Sequence, residues 1–214
     1  MCYSSDPMVI SQRSHEFKTT NGNILKTILT EVSTAERLVM VVPGAQASVS
    51  GENANDRRYN MLARKVSKEV GCSVIRFSNT FRPEYGYFDE EVNIQAMLAK
   101  TAEVVGGKAV TGFGFSAGAR MLAEHAHELE SIDKLVLVNP DPGFEPEKVL
   151  QGLKKFEHPI RLISGGEDEM ERREFTDRLF QSSSKGVAQL YLPAVDHMFT
   201  DSIEVFAALG KYTA

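Results

Sequence analysis

The stretch Lys108-Ala-Val-Thr-Gly-Phe-Gly-Phe-Ser-Ala-Gly-Ala-Arg120 decides the fold of this 214-residue chain. Its first half is an apolar run typical of a buried β-strand, and the run rich in Ala, Met and Leu that follows predicts a helix. Between them, Gly114-Phe-Ser-Ala-Gly118 has the pattern Gly-x-Ser-x-Gly, a tight turn that holds a serine in a strained conformation with its hydroxyl exposed. Glycine is needed on both sides because side chains there would collide with the neighbouring strand and helix. The alternative interpretation is a glycine-rich turn with an incidental serine, so the pattern needs support from the rest of the chain.

Strand-like and helix-like runs alternate on both sides of this stretch. Asn21-Gly22-Asn23 lies between two β-type runs, 16–20 and 24–32, which predicts an antiparallel hairpin near the start. Further strands are predicted at 37–42, 72–77, 134–138, 160–163 and 187–192, and amphipathic helices at 53–70, 89–105, 147–156, 171–181 and 198–209.

This alternation predicts an α/β fold in which a mostly parallel, twisted sheet is covered by helices on both faces, a three-layer α/β/α sandwich. We expect a loose tail over residues 1–13 and a single domain over residues 14–214. In sheets of this kind, ligands bind beyond the carboxyl ends of the strands. The functional residues are therefore sought in the loops that follow the strands.

The composition excludes several classes of function. The formal net charge of −5 gives no electrostatic reason to expect a nucleic-acid partner. The two cysteines are too few for a disulfide framework, and the first residues lack the basic and apolar segments of a secretion signal. No run approaches the length of a membrane span. We expect a cytoplasmic protein that acts on a small molecule, and the sequence is silent on its oligomeric state.

A serine becomes a nucleophile when a histidine accepts its proton and a carboxylate orients that histidine. Of the five histidines, His197 alone follows the carboxyl end of a predicted strand. Asp168 closes Gly165-Gly-Glu-Asp168 after another strand, with Glu167, Glu169 and Asp141 as alternative acids. The order Ser116, Asp168, His197 is the order associated with the α/β-hydrolase fold.

On these motifs the chain resembles the α/β-hydrolase superfamily over nearly its whole length, from the hairpin to the last helix. The elbow at 114–118, the acid loop at 165–168 and the turn Asp196-His-Met-Phe199 each look like motifs of that family. The resemblance implies a serine hydrolase with Ser116, Asp168 and His197 as its catalytic residues.

The resemblance also implies an oxyanion hole made by the backbone N–H groups of Ala117 and of Ala45, or alternatively Gln46. The loop Pro43-Gly44-Ala45 matches the family's first-strand loop, with Pro43 in place of the usual histidine. Many members carry a helical cap before the strand that starts at Ile160, but the interval after Val138 has no room for one. We therefore expect an open, capless site.

The loop 81–86 is similar to a family loop that lines the substrate entrance. Candidate substrate-binding residues share an aromatic, apolar or amide side chain near the predicted site, and the alternative for most of them is core packing. They are Gln46, Phe81, Tyr85, Tyr87, Phe115, Phe144, Met198 and Phe199.

These observations predict hydrolysis of carboxylic esters, with thioesters, lactones and small amides as alternatives that use the same groups. The predicted chemistry needs no metal or organic cofactor, and His125-x-His127 does not match the usual spacings of zinc ligands. A hypothesis of another class is a non-catalytic ligand-binding module with the same fold.

Overall fold

The computed structural model describes residues 10–22, 24–45, 57–78, 90–183 and 186–214. In these residues eight strands form one sheet in the order β1-β2-β4-β3-β5-β6-β7-β8. The strands are β1 (Ile10–Lys18), β2 (Ile24–Val32), β3 (Arg37–Val42), β4 (Ser73–Phe77), β5 (Ala109–Phe115), β6 (Ile132–Val138), β7 (Ile160–Gly165) and β8 (Val187–Leu192). β2 pairs antiparallel with β1 and β4, and the neighbouring pairs from β4 through β3 to β8 are parallel. The predicted mostly parallel sheet with an antiparallel start is confirmed.

Helices cover both faces of this sheet. They are α1 (Arg57–Lys65), α2 (Glu90–Val105), α3 (Ala117–His125), α4 (Pro146–Lys155), α5 (Met170–Ser182) and α6 (Ile203–Ala208). Short helical turns extend α1 over Val66–Val70, α3 over Ala126–Glu128 and α6 over Leu209–Thr213.

Strand residues alternate between two cores. In β3, Leu38, Met40 and Val42 join the core beneath α2 to α5, whereas Val39 and Val41 join the core beneath α1 and α6. The β-strand period of two sends successive side chains to opposite faces, and apolar residues on both faces let helices pack on each. The predicted three-layer sandwich is therefore the observed architecture.

Two predicted boundaries differ from the observed ones by more than two residues. β1 begins at Ile10, so the last four residues assigned to the tail lie in a strand, and residues 1–9 lie outside the described residues. β1 forms an edge with nearly all of its side chains exposed, so it lacks the apolar alternation by which a strand is recognised. α6 begins at Ile203 instead of Met198, because residues 196–202 form the turn that carries His197.

The interval between β6 and β7 contains α4 and short loops. No cap is inserted there, and this interval is described in full. Because β3, β5, β6, β7 and β8 are parallel, their carboxyl ends meet at one edge of the sheet.

Candidate active site

Ser116 occupies a strained turn between β5 and α3. Its φ of 54° and ψ of −121° lie in a region that residues with a side chain rarely adopt. A Cβ at Gly118 would lie 2.2 Å from the carbonyl oxygen of Val42, and one at Gly114 would lie 2.5 Å from Cα of Ala119. Both positions therefore require glycine for the close approach of backbone to backbone. The turn leaves Oγ of Ser116 at the carboxyl edge of the sheet.

The imidazole of His197 contacts this hydroxyl. Nε2 of His197 lies 3.0 Å from Oγ of Ser116. The ring is largely buried and lies 5.5 Å, centroid to centroid, from the ring of Phe115. The sequence places these two residues 81 positions apart, and the sheet brings them to hydrogen-bond distance.

The turn that carries His197 is fixed by its own hydrogen bonds. Oδ1 of Asp196 accepts a hydrogen bond from the N–H of Thr200 at 2.8 Å, and Phe199 has a φ of 55°. Partial burial raises the pKa of the Asp196 carboxyl. Hydrogen bonds from Thr200 and from the N–H of Phe199, together with the electrostatic contribution of His197, outweigh that effect, so the pKa lies below its ordinary value. The turn is therefore stabilised by an ionised Asp196.

Asp168 completes a continuous chain of hydrogen bonds. Its Oδ2 lies 2.9 Å from Nδ1 of His197, and its side chain is almost wholly buried. Its Oδ1 accepts a hydrogen bond from the N–H of Glu169 at 2.8 Å and lies 3.6 Å from the guanidinium of Arg172. Because both oxygens have partners, the carboxylate is held in one orientation toward the imidazole.

Of the alternative acids, Glu167 is exposed, and Glu169 and Asp141 have other partners. Glu169 is mostly exposed and pairs with Arg172 at 3.2 Å. Asp141 accepts a hydrogen bond from the N–H of Gly143 and lies 3.7 Å from Arg172 and 3.8 Å from Arg120. In the described residues, Nδ1 of His197 has Asp168 as its carboxylate neighbour.

The loop after β3 passes directly beside the serine. A Cβ at Gly44 would lie 3.2 Å from Cβ of Ser116, and the N–H of Gly44 donates a hydrogen bond to the hydroxyl of Tyr59 at 3.1 Å. Ala45 lines the same cavity as Ser116, and Ala117 is the first residue of α3. The N–H groups of a helix's first turn have no partner within the helix and are suited to bind negative charge. Gln46, the alternative to Ala45, lies outside the described residues.

A cavity of about 380 Å³ opens above Ser116. Phe115 and Met198 line it, as the sequence predicts. Phe144 is fully exposed and Phe199 is fully buried against Phe115 and Phe206, so neither forms a wall among the described residues. The remaining predicted wall residues, Phe81, Tyr85 and Tyr87, lie outside the described residues.

Three further residues line the cavity without having been predicted from the sequence. Arg58 donates a hydrogen bond to the carbonyl of Met198 at 3.0 Å, and its guanidinium lies 5.4 Å from the centre of the Phe115 ring. Tyr59 and Arg172 complete the set. All three lie on helices at positions where the pattern predicts ordinary packing or solvated charge, so no signal in the sequence distinguishes them.

No protein-family profile matches this chain, and no curated protein sequence matches it. Solved structures do match along nearly its whole length. A dienelactone hydrolase from Anabaena variabilis superposes with a TM-score of 0.77 at 17% identity, with 95% of this chain and 96% of that chain covered. An esterase domain from a Rhodothermus marinus protein gives 0.72 at 14% identity, with 94% and 95% covered.

A third match is an α/β serine hydrolase without a lid from Xanthomonas campestris, with a TM-score of 0.72 at 16% identity over 94% of this chain and 93% of that chain. At such identities the likeness is one of fold. The fold is that of the lidless α/β-hydrolases, as the sequence motifs predict. None of the described helices is both long enough and apolar enough to cross a bilayer.

Proposed function

We propose that this chain is a serine hydrolase that cleaves small carboxylic esters through an acyl-enzyme intermediate. The observation that carries the proposal is the unbroken hydrogen-bond chain from Oγ of Ser116 through the imidazole of His197 to the carboxylate of Asp168. A serine hydroxyl is a weak nucleophile until an adjacent base accepts its proton, and this geometry supplies the base. The shared fold with esterases and a dienelactone hydrolase adds support.

In the proposed reaction, Oγ of Ser116 attacks the acyl carbonyl carbon while its proton passes to Nε2 of His197. The leaving alkoxide takes that proton as the carbon–oxygen bond of the ester breaks, and the acyl group stays on Ser116. A water molecule then gives a proton to Nε2 and attacks the acyl carbon. Nε2 returns this proton to Oγ of Ser116 as the bond between the acyl carbon and Oγ breaks, which releases the acid and restores the serine. Asp168 stabilises the cationic imidazole in both halves of the reaction.

The negative charge on the carbonyl oxygen of each tetrahedral intermediate needs hydrogen-bond donors. We assign this role to the N–H groups of Ala45 and Ala117, because Ala45 borders the cavity next to Ser116 and Ala117 starts the helix behind it. Such preorganised donors stabilise the transition state more than the ground state. Phe115 and Met198 would contact the acyl group.

Lactones are the second substrate class to test, because the chain superposes well on a dienelactone hydrolase. Thioesters and small amides would use the same groups. A ligand-binding module without turnover is the alternative of another class. The cytoplasmic location and the absence of a nucleic-acid partner stay predictions from the sequence.

Labelling with a fluorophosphonate tests the proposal. We expect one phosphonyl group per wild-type chain, on the peptide that contains Ser116, and none on Ser116→Ala at an unchanged melting temperature. Turnover of p-nitrophenyl esters, lactones and acyl-thioesters by the same preparations then ranks the substrate classes. Folded wild-type protein that neither labels nor turns over any of them would overturn the enzyme proposal in favour of the binding module.

A further inference from the structure

Asn139 is the first residue after β6, and its side-chain amide spans two loops of the site. Its Oδ1 accepts a hydrogen bond from the N–H of Gly165 at 2.8 Å, and its Nδ2 donates one to the carbonyl oxygen of His197 at 2.9 Å. The residue is 1% exposed. The orientation of the amide follows from its partners, because an N–H can only donate and a carbonyl can only accept.

The two partners of Asn139 belong to the loops that carry the proposed acid and base. Gly165 is the last residue of β7 and lies three positions before Asp168, while the other partner is the backbone of His197 itself. The loops are in direct contact at this point, since a Cβ at Gly165 would lie 2.4 Å from the carbonyl oxygen of Val195. The amide therefore fixes the position of the loop that carries His197 relative to the loop that carries Asp168.

The backbone around Asn139 also contacts the serine. The N–H of Ser116 donates to the carbonyl oxygen of Val138 at 2.9 Å, and the N–H of Asp141 approaches the carbonyl oxygen of Ser116 at 3.4 Å. The N–H of Asn139 donates to the carbonyl oxygen of Ile163 at 2.8 Å. The end of β6 is thus hydrogen-bonded to the backbone of Ser116, to the backbone of His197 and to β7, the strand that leads to Asp168.

Asparagine suits this position for two physical reasons. The φ of Asn139 is 46°, a left-handed conformation that asparagine tolerates better than most residues with a side chain. Its short amide also offers a donor and an acceptor at the same time, whereas an ionised aspartate only accepts and glycine offers neither. Ser116, Asn139 and Phe199 are the non-glycine residues with positive φ in the described part of the chain, and all three lie at this site.

We infer that Asn139 is a positioning residue, which holds the backbone of His197 against the Asp168 loop so that the imidazole reaches both the carboxylate and the serine hydroxyl. The inference rests on the proposed function for its effect on rate. A displacement of about 1 Å in such a site costs roughly 10²-fold in rate. Loss of the amide should therefore lower kcat roughly 10- to 100-fold and leave KM nearly unchanged.

Two variants of Asn139 distinguish the loss of the amide's hydrogen bonds from a general loss of stability. Asn139→Gly permits the positive φ and removes both hydrogen bonds, and Asn139→Asp keeps an acceptor for Gly165 but loses the donor to His197. Ser73→Ala is the matched control, because Ser73 Oγ accepts a buried hydrogen bond from the N–H of Val32 at the opposite end of the sheet. We expect the control to lose stability and keep the wild-type kcat.

The decisive readout does not depend on turnover. The proton on Nδ1 of His197, shared with Asp168, should give a low-field resonance in proton NMR that disappears in Asp168→Asn. In both Asn139 variants we expect this resonance to shift upfield or broaden. In Asn139→Gly, which adds no charge, we also expect the acidic limb of the kcat/KM profile to move to lower pH, because a loosened Asp168 stabilises the cationic imidazole less.

Failure of the inference and failure of the proposed function give different results. Folded Asn139 variants with the wild-type resonance, or with a wild-type kcat and pH profile in an active enzyme, would overturn the positioning role. If Asn139→Gly does not fold, Asn139→Asp still gives the resonance and kcat. A wild type that neither labels nor turns over would overturn the proposed function, while the resonance would still decide whether Asn139 positions His197.

Discussion

Oδ2 of Asp168 lies 2.9 Å from Nδ1 of His197, and the other oxygen of the same carboxylate is held by the N–H of Glu169. This arrangement distinguishes Asp168 from the other acids in the neighbouring loops. It also gives the Asp168 carboxylate a defined orientation.

Asp168→Asn should lower kcat/KM by about 10³- to 10⁴-fold, because the amide cannot stabilise the cationic imidazole and favours the wrong tautomer. Asp141→Asn and Glu169→Gln should each cost less than about tenfold, since these two acids contact arginines and backbone groups instead of the imidazole. Steady-state kinetics on one p-nitrophenyl ester compares the three variants. A severe loss in Asp141→Asn together with a mild one in Asp168→Asn would transfer the role to Asp141.

Tyr59→Phe should perturb the proposed oxyanion hole. The variant removes the hydroxyl that accepts a hydrogen bond from the N–H of Gly44, one residue before Ala45. We expect a loss of about 1 kcal/mol in the free energy of unfolding. The expected fall in kcat is about tenfold, below the 10²- to 10³-fold that follows loss of an oxyanion donor itself.

Tyr212→Phe is the control for this measurement, because Tyr212 lies near the C-terminus against Arg161 and Lys211. Equal kcat values for Tyr59→Phe and Tyr212→Phe would show that the hydrogen bond between Gly44 and Tyr59 does not affect catalysis.

Gly118→Ala should destabilise the fold by roughly 3 kcal/mol or more, because the added methyl group would lie 2.2 Å from a backbone oxygen that cannot move aside. Gly44→Ala should cost less, since its new methyl group would meet side-chain atoms of Phe115 and Ser116 at 3.1 Å and 3.2 Å. Urea unfolding ranks the two variants. An undisturbed midpoint for Gly118→Ala would contradict the packing described at the elbow.

Asp196→Asn should remove a pH-dependent part of the stability. The pKa of Asp196 is lower in the folded chain than its ordinary value, so its contribution is complete above about pH 5 and is lost as the pH falls below about 4. At pH 7 we expect a loss of about 1 kcal/mol, as for a carboxylate that caps a turn.

Unfolding of wild type, Asp196→Asn and Asp201→Asn from pH 3 to pH 7 measures this contribution. Asp201 is an exposed carboxylate in the same loop and serves as the control. A wild-type advantage over Asp196→Asn that grows as the pH falls would contradict a lowered pKa for Asp196 in the folded chain.

Short acyl groups should be the preferred substrates. The cavity above Ser116 measures about 380 Å³, and no cap lies between β6 and β7, where the chain is described throughout. We expect kcat/KM to fall from p-nitrophenyl acetate and butyrate to the decanoate. Strong activation on an emulsified triglyceride would contradict an open, capless site.

The sequence alone determined the order of the elements and the position of the serine turn. Both follow from local properties: apolar runs of strand length, helical spacing of buried residues, and glycines where a Cβ has no room. His197 could also be selected from the sequence, because the carboxyl ends of parallel strands meet at one edge of the sheet. The sequence predicts β1 too short, because an exposed edge strand carries little hydrophobic pattern.

The tertiary structure decided which groups contact each other at that edge. Four acids were candidates from the sequence, and in the described residues the buried carboxylate that contacts the imidazole of His197 is that of Asp168. No sequence pattern predicts the two hydrogen bonds of the Asn139 amide or the hydrogen bond between Tyr59 and Gly44. The physical reason is that a strand's period and a loop's position depend on neighbours in sequence, whereas the direction of a side chain within a loop depends on packing between segments that are far apart in the chain.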